Sequence, residues 1–412
     1  MEILKQALNK INFIGKNKYN FLVKLVQGFI GVMGKRTFRN LSRYIGVEEH
    51  TISRQMSKSV DFAEINIEMI TQSREVGDIY IVAQDASFFP KSGDKTAGLD
   101  YHWNGTAGKA EKGLEIDGIA VIKINGDKRE GFAISGRLSP ANPIPIKERK
   151  KKGKDDPTKV DAALAHLAAV APKLIRLGVE YNVEDAFYAK KKYVNGSVEI
   201  GLHVVSKLRK DAKLMKPYTG PQKARGRKRI YDKARVNHSD FKDVVITKDQ
   251  SGEPIELTSC IAYSPSMRRM VKAILVKKVL EGKCGEALLF STDTTQDTLQ
   301  IYQFYTARFQ IEFIFRDAKG FTGLTDCQSR DENRINYHLG VSLLALNVAK
   351  LEDSAVQKRM GVSHAFSMTN WARKFHVEIV ISRFISMFGL DLTLIKLHPM
   401  YEAMLAFGNI VH

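Results

Sequence analysis

The sequence predicts an α/β fold in which a mixed sheet is flanked by helices, and three observations support this prediction. Short apolar runs bounded by turn residues alternate with helical patterns between residues 79 and 206. Further strand-like runs occupy much of the interval 212–291. Helical patterns dominate residues 1–72 and 333–412, so we expect helices at both ends of the chain.

Length and charge indicate the class of protein. The chain has 412 residues, which predicts roughly two to four structural units. Lys and Arg number 64 against 45 Asp and Glu, and the net charge of +19 favours a polyanionic partner, above all nucleic acid. The alternative is a ribosome-associated or merely basic protein. The sequence has no long apolar run, no signal-peptide pattern and only three widely spaced cysteines. We therefore expect a cytoplasmic protein without a membrane segment, associated with the nucleoid when DNA-bound.

Residues 1–72 are predicted to form a helical DNA-binding domain. Two short amphipathic segments, Thr37–Ile45 and Glu48–Met56, are joined at Gly46, as in a helix-turn-helix. The second helix would then present Ser53 and Arg54 to a DNA groove. The alternative is an ordinary helical hairpin, because short helix pairs with a glycine turn are common.

Residues 75–211 are predicted to form the first part of a catalytic core. Three strands come first, then a helix from about 158 to 177, a fourth strand, a second helix and a fifth strand. This is the order of a ribonuclease-H-like fold, which by itself does not assign a function. The five strands are predicted at 79–85, 116–124, 130–137, 179–183 and 200–206.

A β-rich insertion is predicted at 212–285, with strands near 243–247, 255–263 and 270–279. The second part of the core follows at 286–345, and a helical C-terminal region at 346–412 is a possible dimerisation surface. Basic runs at 147–154 and 223–229 are expected to contact DNA phosphates, the alternative being solvated loops. The second run contributes four candidate DNA-binding residues, Arg225, Arg227, Lys228 and Arg229.

Three acidic residues occupy positions that a metal-dependent nuclease requires. Asp85 ends the first predicted strand, Asp185 follows the fourth, and Glu312 lies on a later helix. The ends of neighbouring parallel strands converge, and carboxylate oxygens are the ligands that Mg²⁺ prefers. Two ions about 4 Å apart can activate a nucleophile and stabilise the leaving oxygen of a phosphodiester. Glu184 and Asp293 are rival ligands from the same loops, and a single strand-end Asp often only caps a turn.

The helix that carries Glu312 is predicted to run unbroken from about Asp297 to Lys319. Five polar residues on it would share one face roughly 80° wide. One interpretation is a metal ligand flanked by groups that hold phosphate oxygens. The other is a solvated face on which Arg308 and Arg316 pair with Glu312. The five residues are Tyr305, Arg308, Glu312, Arg316 and Lys319.

A resemblance favours the first interpretation. The spacing Tyr305-x2-Arg308-x3-Glu312-x6-Lys319 resembles the Y-R-E-K signature of bacterial insertion-sequence transposases, the cut-and-paste DDE group with a β insertion before the final Glu. The segments around Asp85 and Asp185 resemble the first and second Asp segments of that group. Residues 204–209 resemble the basic strand that follows, which adds Lys207 and Arg209 as candidate DNA contacts. The similarity spans roughly 75–350.

The resemblance implies a DNA transposase that binds terminal inverted repeats and catalyses strand cleavage and strand transfer, with a hairpin intermediate. It implies two Mg²⁺ or Mn²⁺ ions on Asp85, Asp185 and Glu312, double-stranded DNA as partner, and a homodimer in the DNA complex. In this group an aromatic residue of the insertion stacks on an extruded base. The sequence leaves three candidates open, Tyr218, Tyr231 and Tyr263. Two alternatives remain: an inactive transposase-derived DNA-binding protein, and a ribonuclease-H-like nuclease with another nucleic-acid substrate.

Overall fold

A computed structural model of the chain describes residues 1–141, 158–249, 252–280, 283–407 and 409. Within these ranges the protein is a mixed α/β fold with one twelve-stranded sheet and helices packed around it. No helix in the described ranges combines the length and the apolar character needed to cross a membrane. The basic run at 147–154, for which the sequence predicts DNA contacts, lies outside the described residues.

Five helices precede the sheet. The helix pair predicted around Gly46 is present as α3 and α4, and the Thr37 side chain caps α3 by accepting a hydrogen bond from the Asn40 amide. These helices pack on the core, because α2 contacts the last long helices and α5 contacts the fourth strand. The helices are α1 (Glu2–Lys10), α2 (Lys16–Gly31), α3 (Phe38–Ile45), α4 (Glu49–Met56) and α5 (Phe62–Gln72).

The first part of the sheet has the strand order expected of a ribonuclease-H-like core. In the order β4-β3-β1-β5-β6, β3 runs antiparallel to both of its neighbours β1 and β4, and β5 and β6 run parallel to β1. The short β2 also pairs with β3, beyond the end of β4. The strands are β1 (Ile79–Pro90), β2 (Asp100–Asn104), β3 (Lys109–Asn125), β4 (Lys128–Leu138), β5 (Tyr181–Val183) and β6 (His203–Leu208).

Two helices connect these strands. The α6 helix (Lys159–Leu177) begins at the predicted position because Thr158 and Asp161 form a reciprocal capping box, which satisfies amides that the first turn leaves free. Its buried face, which includes Ala163, His166 and Leu167, packs against the sheet beside β1. The α7 helix (Lys191–Glu199) then leads into β6.

The β-rich insertion continues the core sheet. Strand β12 pairs antiparallel with β6, and β11, β10, β7 and β8 follow in that order, while β9 pairs with β10. An edge strand exposes unpaired amide and carbonyl groups, so β12 satisfies the free edge of β6. The strands are β7 (Met215–Pro217), β8 (Tyr231–Arg235), β9 (Lys242–Lys248), β10 (Pro254–Ser264), β11 (Arg269–Leu280) and β12 (Lys283–Ser291).

The single helix predicted from Asp297 to Lys319 is wrong. The structure has two helices, α8 (Thr298–Ala307) and α9 (Gln310–Phe321), separated at Arg308 and Phe309. At the break, the Ile311 amide bonds the Arg308 carbonyl and the Glu312 amide bonds the Phe309 carbonyl, three residues back instead of four. The predicted polar residues are therefore divided, with Tyr305 on α8, Arg308 in the turn, and Glu312, Arg316 and Lys319 on α9.

Four more helices complete the described chain: α10 (Glu332–Met360), α11 (Met368–Met387), α12 (Leu392–Leu397) and α13 (Met400–Leu405). The α10 helix runs without interruption past residue 345, where the sequence suggested a boundary, and it packs against β4. The Asn347 side chain accepts a hydrogen bond from the Ala133 amide and donates one to the Ala133 carbonyl. The helix thereby covers the outer edge of β4 and satisfies its backbone groups.

Candidate active site

Asp85 lies where β1 loses one of its neighbours. Strand β5 pairs with β1 only at Ile81 and Val82, and β1 continues to Pro90 beside a cleft. The Asp85 side chain is half-buried and accepts a hydrogen bond from the Ala86 amide at 2.8 Å. Its partner on β3 is Gly118, where an added Cβ would lie 2.6 Å from the Phe315 ring of α9. The missing side chain therefore lets α9 pack closely on the face that carries Asp85.

Arg308, at the break between α8 and α9, connects Asp85 to Glu312. Its Nη1 lies 3.8 Å from Asp85 Oδ2 and its Nη2 lies 3.6 Å from Glu312 Oε1. The guanidinium is mostly buried, and its Nε has no hydrogen-bond partner among the described residues. One cation thus lies between two of the three predicted catalytic carboxylates.

The pKa of Asp85 depends on the other charged groups of the cluster. The pKa of Asp85 is raised to about 6, chiefly by burial; the Ala86 amide and Arg308 lower it, and the nearby Asp185 and Glu312 carboxylates add to the rise. Like charges within a few ångströms disfavour simultaneous ionisation. Asp85, Asp185 and Glu312 therefore interact electrostatically, although they come from three separate elements of the fold.

Asp185 follows β5 and is held in place by backbone contacts. Its Oδ1 accepts a hydrogen bond from the Phe187 amide at 2.8 Å, and its carbonyl accepts one from the Ser206 hydroxyl at 2.8 Å. The rival ligand Asp293 instead accepts hydrogen bonds from the Tyr181 hydroxyl and from Thr295.

The other rival ligand, Glu184, lies between the end of β5 and Asp185. It is fully buried, and its Oε1 lies 2.8 Å from the Tyr193 hydroxyl. Burial and the nearby Asp85 and Asp185 charges raise the pKa of Glu184 well above its usual range. A neutral carboxylic acid is a poorer ligand for a hard cation than a carboxylate, so we expect Asp185 and not Glu184 to bind metal.

A buried hydrogen-bond bridge connects the residues that precede the two aspartates. The Tyr193 hydroxyl lies 2.6 Å from Gln84 Oε1 and 2.8 Å from Glu184 Oε1. The Gln84 amide nitrogen donates to both Asp117 oxygens, so its oxygen must face Tyr193. A hydroxyl has one proton, so one of the two contacts of Tyr193 requires a proton on Glu184. The bridge fixes the spacing between β1 and the end of β5, and hence between Asp85 and Asp185.

A cavity of about 640 Å³ opens beside Asp85 and Asp185. Its floor carries two buried acids of β3 that the sequence analysis did not select. Glu115 accepts hydrogen bonds from Lys159, and Asp117 accepts one from His166 Nδ1 at 2.7 Å. Trp103, at the rim, exposes 62% of its surface. The available signal was the alternation of two acids at i and i+2 within an otherwise apolar strand.

The remaining Y-R-E-K residues divide into two groups. Lys319 lines the cavity and donates to the Phe88 carbonyl at 2.9 Å, and burial lowers its pKa. Tyr305 is half-buried near Arg308 and Asp185, and burial raises its pKa. Arg316 is separate from them: it is 68% exposed and pairs with its neighbour Asp317.

A comparison with known protein families assigns the chain to a family. The sequence model of the DDE superfamily endonucleases matches residues 16–257, which is more than half of the chain. The chain belongs to the DDE superfamily endonuclease family. The matched range includes Asp85 and Asp185 and ends before Glu312.

Two further comparisons add little to the family assignment. The crystal structure of the NurA nuclease from Sulfolobus solfataricus aligns at 10% identity and a TM-score of 0.25, covering 80% of this chain and 98% of that one. No curated protein matches the endonuclease significantly.

Nucleases of this superfamily generally use divalent metal ions, and the donors of this endonuclease suit such ions. Asp85, Asp185 and Glu312 supply carboxylate oxygens that already influence one another. Within the described ranges, however, no three acidic, His or Cys side chains are close enough together to hold an ion. Arg308 occupies the position between Asp85 and Glu312, so a bound cation would require these side chains to rearrange.

The other predicted DNA contacts lie away from the cavity of the endonuclease. On α4, Arg54 is exposed, whereas Ser53 is half-buried and its carbonyl accepts a hydrogen bond from Arg334. On β6, Lys207 is half-buried, and the exposed Arg209 just beyond it pairs with Asp211. The four residues of the second basic run are exposed in the connection between β7 and β8: Arg225, Arg227, Lys228 and Arg229.

Proposed function

We propose that this endonuclease is a DNA transposase that cleaves the ends of its own element and transfers the freed strand to a target. The observation that supports it most is the convergence of Asp85, Asp185 and Glu312 from β1, the end of β5 and α9, with Arg308 between two of them. Carboxylates and cations in one cleft suit a phosphodiester, whose charge is distributed over several oxygens.

Each carboxylate would hold divalent cations, most simply Mg²⁺ or Mn²⁺. When bound, two such ions would supply activation of water or a 3′-hydroxyl and stabilisation of the leaving oxygen. The side chains of the chain itself would hold and orient the DNA. Arg308 and Lys319 carry positive charge beside the cavity, and Tyr305 offers a hydroxyl next to Arg308. Charge-assisted contacts from these groups would fix the phosphate relative to Asp85.

Pairing two DNA ends would require two copies of the chain, and the C-terminal helices are the surface we propose for that contact. Exposed apolar side chains are concentrated there, whereas isolated ones are ordinary on a protein surface. Ten apolar residues expose half or more of their surface: Val380, Phe384, Met387, Phe388, Leu390, Leu394, Leu397, Met400, Met404 and Phe407. Light scattering of the free protein and of its complex with end DNA would measure the stoichiometry, and two chains bound to two DNA ends is the expected result.

The deciding experiment measures joining as well as cutting. A labelled duplex that carries the end of the element is incubated with Mg²⁺ and a supercoiled plasmid. We expect wild type to nick the end and to join it to the plasmid. Glu312→Gln should bind the end and do neither. Glu332→Gln, which changes an exposed acid in the first turn of α10, is the matched control and should react like wild type.

The possible results distinguish the proposal from its alternatives. Cutting without joining, with an RNA–DNA hybrid cut equally well, would indicate a nuclease with another substrate. Binding without cutting in either Mg²⁺ or Mn²⁺ would indicate an inactive descendant that only binds DNA. If Glu312→Gln cuts at the wild-type rate, the assignment of Glu312 is wrong.

A further inference from the structure

The connection between β7 and β8 is a hairpin loop closed by hydrogen bonds. Its strands pair at Pro217 and Tyr231, and the Tyr218 amide bonds the Ile230 carbonyl at 3.0 Å. Gln222 and Arg229 then close the loop with two hydrogen bonds of 2.7 and 2.9 Å. The Arg229 guanidinium stacks 4.5 Å above the Tyr218 ring and pairs with Asp232. Arg229 therefore supports the loop, and the residues between 222 and 229 form its tip.

The tip carries four exposed cations around one glycine. Within the described parts of the chain, no carboxylate pairs with Lys223, Arg225, Arg227 or Lys228. Gly226 has a φ of +97°, and a Cβ added there would meet no protein atom within 4 Å. The requirement for glycine therefore comes from its backbone conformation and not from packing inside the protein.

We propose that the Arg225-Gly226-Arg227 tip inserts into the minor groove of A/T-rich duplex DNA. The minor groove of such DNA is narrow and strongly negative, which attracts inserted arginines. A guanidinium is more weakly hydrated than an ammonium group, so it loses less on entering the groove. A glycine between two arginines lets the backbone approach the groove floor, because it presents no Cβ there.

The simpler alternative is that the same cations track phosphates from outside the groove. Phosphate contacts carry no sequence information directly, and Lys serves there nearly as well as Arg. Minor-groove insertion, in contrast, is blocked by the guanine 2-amino group, which projects into the groove of G·C pairs. The two binding modes therefore predict a different dependence of affinity on the base composition of the DNA, and a different response of affinity to an Arg→Lys change.

The test uses the full chain in EDTA and fluorescence anisotropy with three duplexes that differ only in a central block. The block holds A·T pairs, G·C pairs, or inosine·C pairs, in which the 2-amino group is missing. We expect G·C to weaken binding about tenfold relative to A·T, and inosine·C to restore most of the loss. Netropsin, which fills the A/T minor groove, should compete only with binding to the A·T and inosine·C duplexes.

Three variants assign the preference to the tip. Arg225→Lys/Arg227→Lys keeps the charge and should reduce the A·T preference to less than about threefold, as should Gly226→Ala, which disfavours the φ of +97°. Arg359→Lys changes an exposed arginine at the end of α10 and should leave the preference unchanged. Equal binding to A·T and G·C duplexes overturns the proposal. So does a double-lysine variant that retains the wild-type preference.

This inference rests on the proposed function only for its ligand, DNA. The binding assay contains no metal and requires no catalysis, so the two proposals can fail separately. Strand transfer by a protein that shows no A·T preference would refute the proposed insertion of the tip into the minor groove and leave the transposase proposal intact. A clear A·T preference in a protein that never cuts DNA would do the reverse.

Discussion

The buried bridge through Tyr193 makes a quantitative prediction about Tyr193→Phe. The side chain of Tyr193 is fully buried, and the substitution preserves its ring while removing only the hydroxyl. That hydroxyl lies within hydrogen-bond distance of Gln84 Oε1 and Glu184 Oε1 and accepts a hydrogen bond from the side-chain nitrogen Nδ2 of Asn182 at 3.2 Å. Without it, two buried oxygens lose this contact.

The expected loss follows from these contacts. A buried polar group left without its partner costs about 1–3 kcal/mol, more than the net gain from a typical hydrogen bond. Gln84 Oε1 and Glu184 Oε1 both lose the Tyr193 hydroxyl as a hydrogen-bond partner. The space freed by one hydroxyl oxygen is too small for a water molecule to replace it. We therefore expect the free energy of unfolding to fall by about 2–4 kcal/mol.

Urea unfolding followed by far-ultraviolet circular dichroism measures this change, and Tyr188→Phe is the matched control. Tyr188 is buried next to Tyr193, with ring centroids 4.7 Å apart. Within the described residues, its hydroxyl makes no hydrogen bond to the protein. Removing that hydroxyl should therefore cost much less than removing the one on Tyr193.

A second measurement separates positioning from stability alone. If the bridge sets the spacing of Asp85 and Asp185, Tyr193→Phe should raise the Mg²⁺ concentration for half-maximal cleavage several-fold, with affinity for end DNA unchanged in EDTA. The reasoning is refuted if Tyr193→Phe unfolds at the same urea concentration as Tyr188→Phe. Unchanged Mg²⁺ dependence in a destabilised variant would limit the bridge to a structural role.

Two further predictions concern pH. Because the pKa of Asp85 is raised to about 6, Mn²⁺ affinity measured by electron paramagnetic resonance should fall about tenfold per pH unit below that value, and Asp85→Asn should remove this step. A pH-independent affinity between pH 5 and 7 would contradict it. The folded protein favours the protonated form of Glu184, whose pKa is raised. The stability that this contributes is fully present below the pKa of Glu184 in the unfolded chain, and it is lost as the pH rises towards the pKa in the folded chain. In EDTA, Glu184→Gln should therefore gain stability relative to wild type between pH 5 and pH 8, and a constant difference in urea midpoints would argue against a protonated Glu184.

The sequence predicted the core strands well because their signals are local. Each predicted strand of the core overlaps an observed one, and Thr158 and Leu177 bound the predicted helix as they bound α6. Capping residues, apolar runs and turn residues act within a few positions of one another. The same signals place Asp185 just after β5, as in the structure. The prediction that Asp85 ends the first strand is wrong, because β1 continues to pair with β3 as far as Pro90.

The parts that the sequence did not predict depend on contacts between distant segments. Pairing of β12 with β6 joins the insertion to the core sheet, and no local pattern encodes which edge accepts a strand. The Gln84–Tyr193–Glu184 bridge joins residues up to 109 positions apart. Its members each appear unremarkable in sequence: a polar residue in an apolar strand, a helical tyrosine, and an acid beside a better candidate ligand.

The contacts of Arg308 show that the two interpretations of the helix face, a solvated face with ion pairs and a catalytic face, are not exclusive. The solvated-face interpretation predicted ion pairs from Glu312 to both arginines, and Arg308 does pair with it at 3.6 Å. Arg316 does not, because it pairs instead with its neighbour Asp317 at 2.9 Å. Arg308 also lies within 3.8 Å of Asp85, a residue far away in sequence. The i,i+4 pair of Arg308 and Glu312 is thus part of a three-residue cluster at the cleft. The spacing of residues along one helix could not predict the third member, because Asp85 comes from a distant segment of the chain.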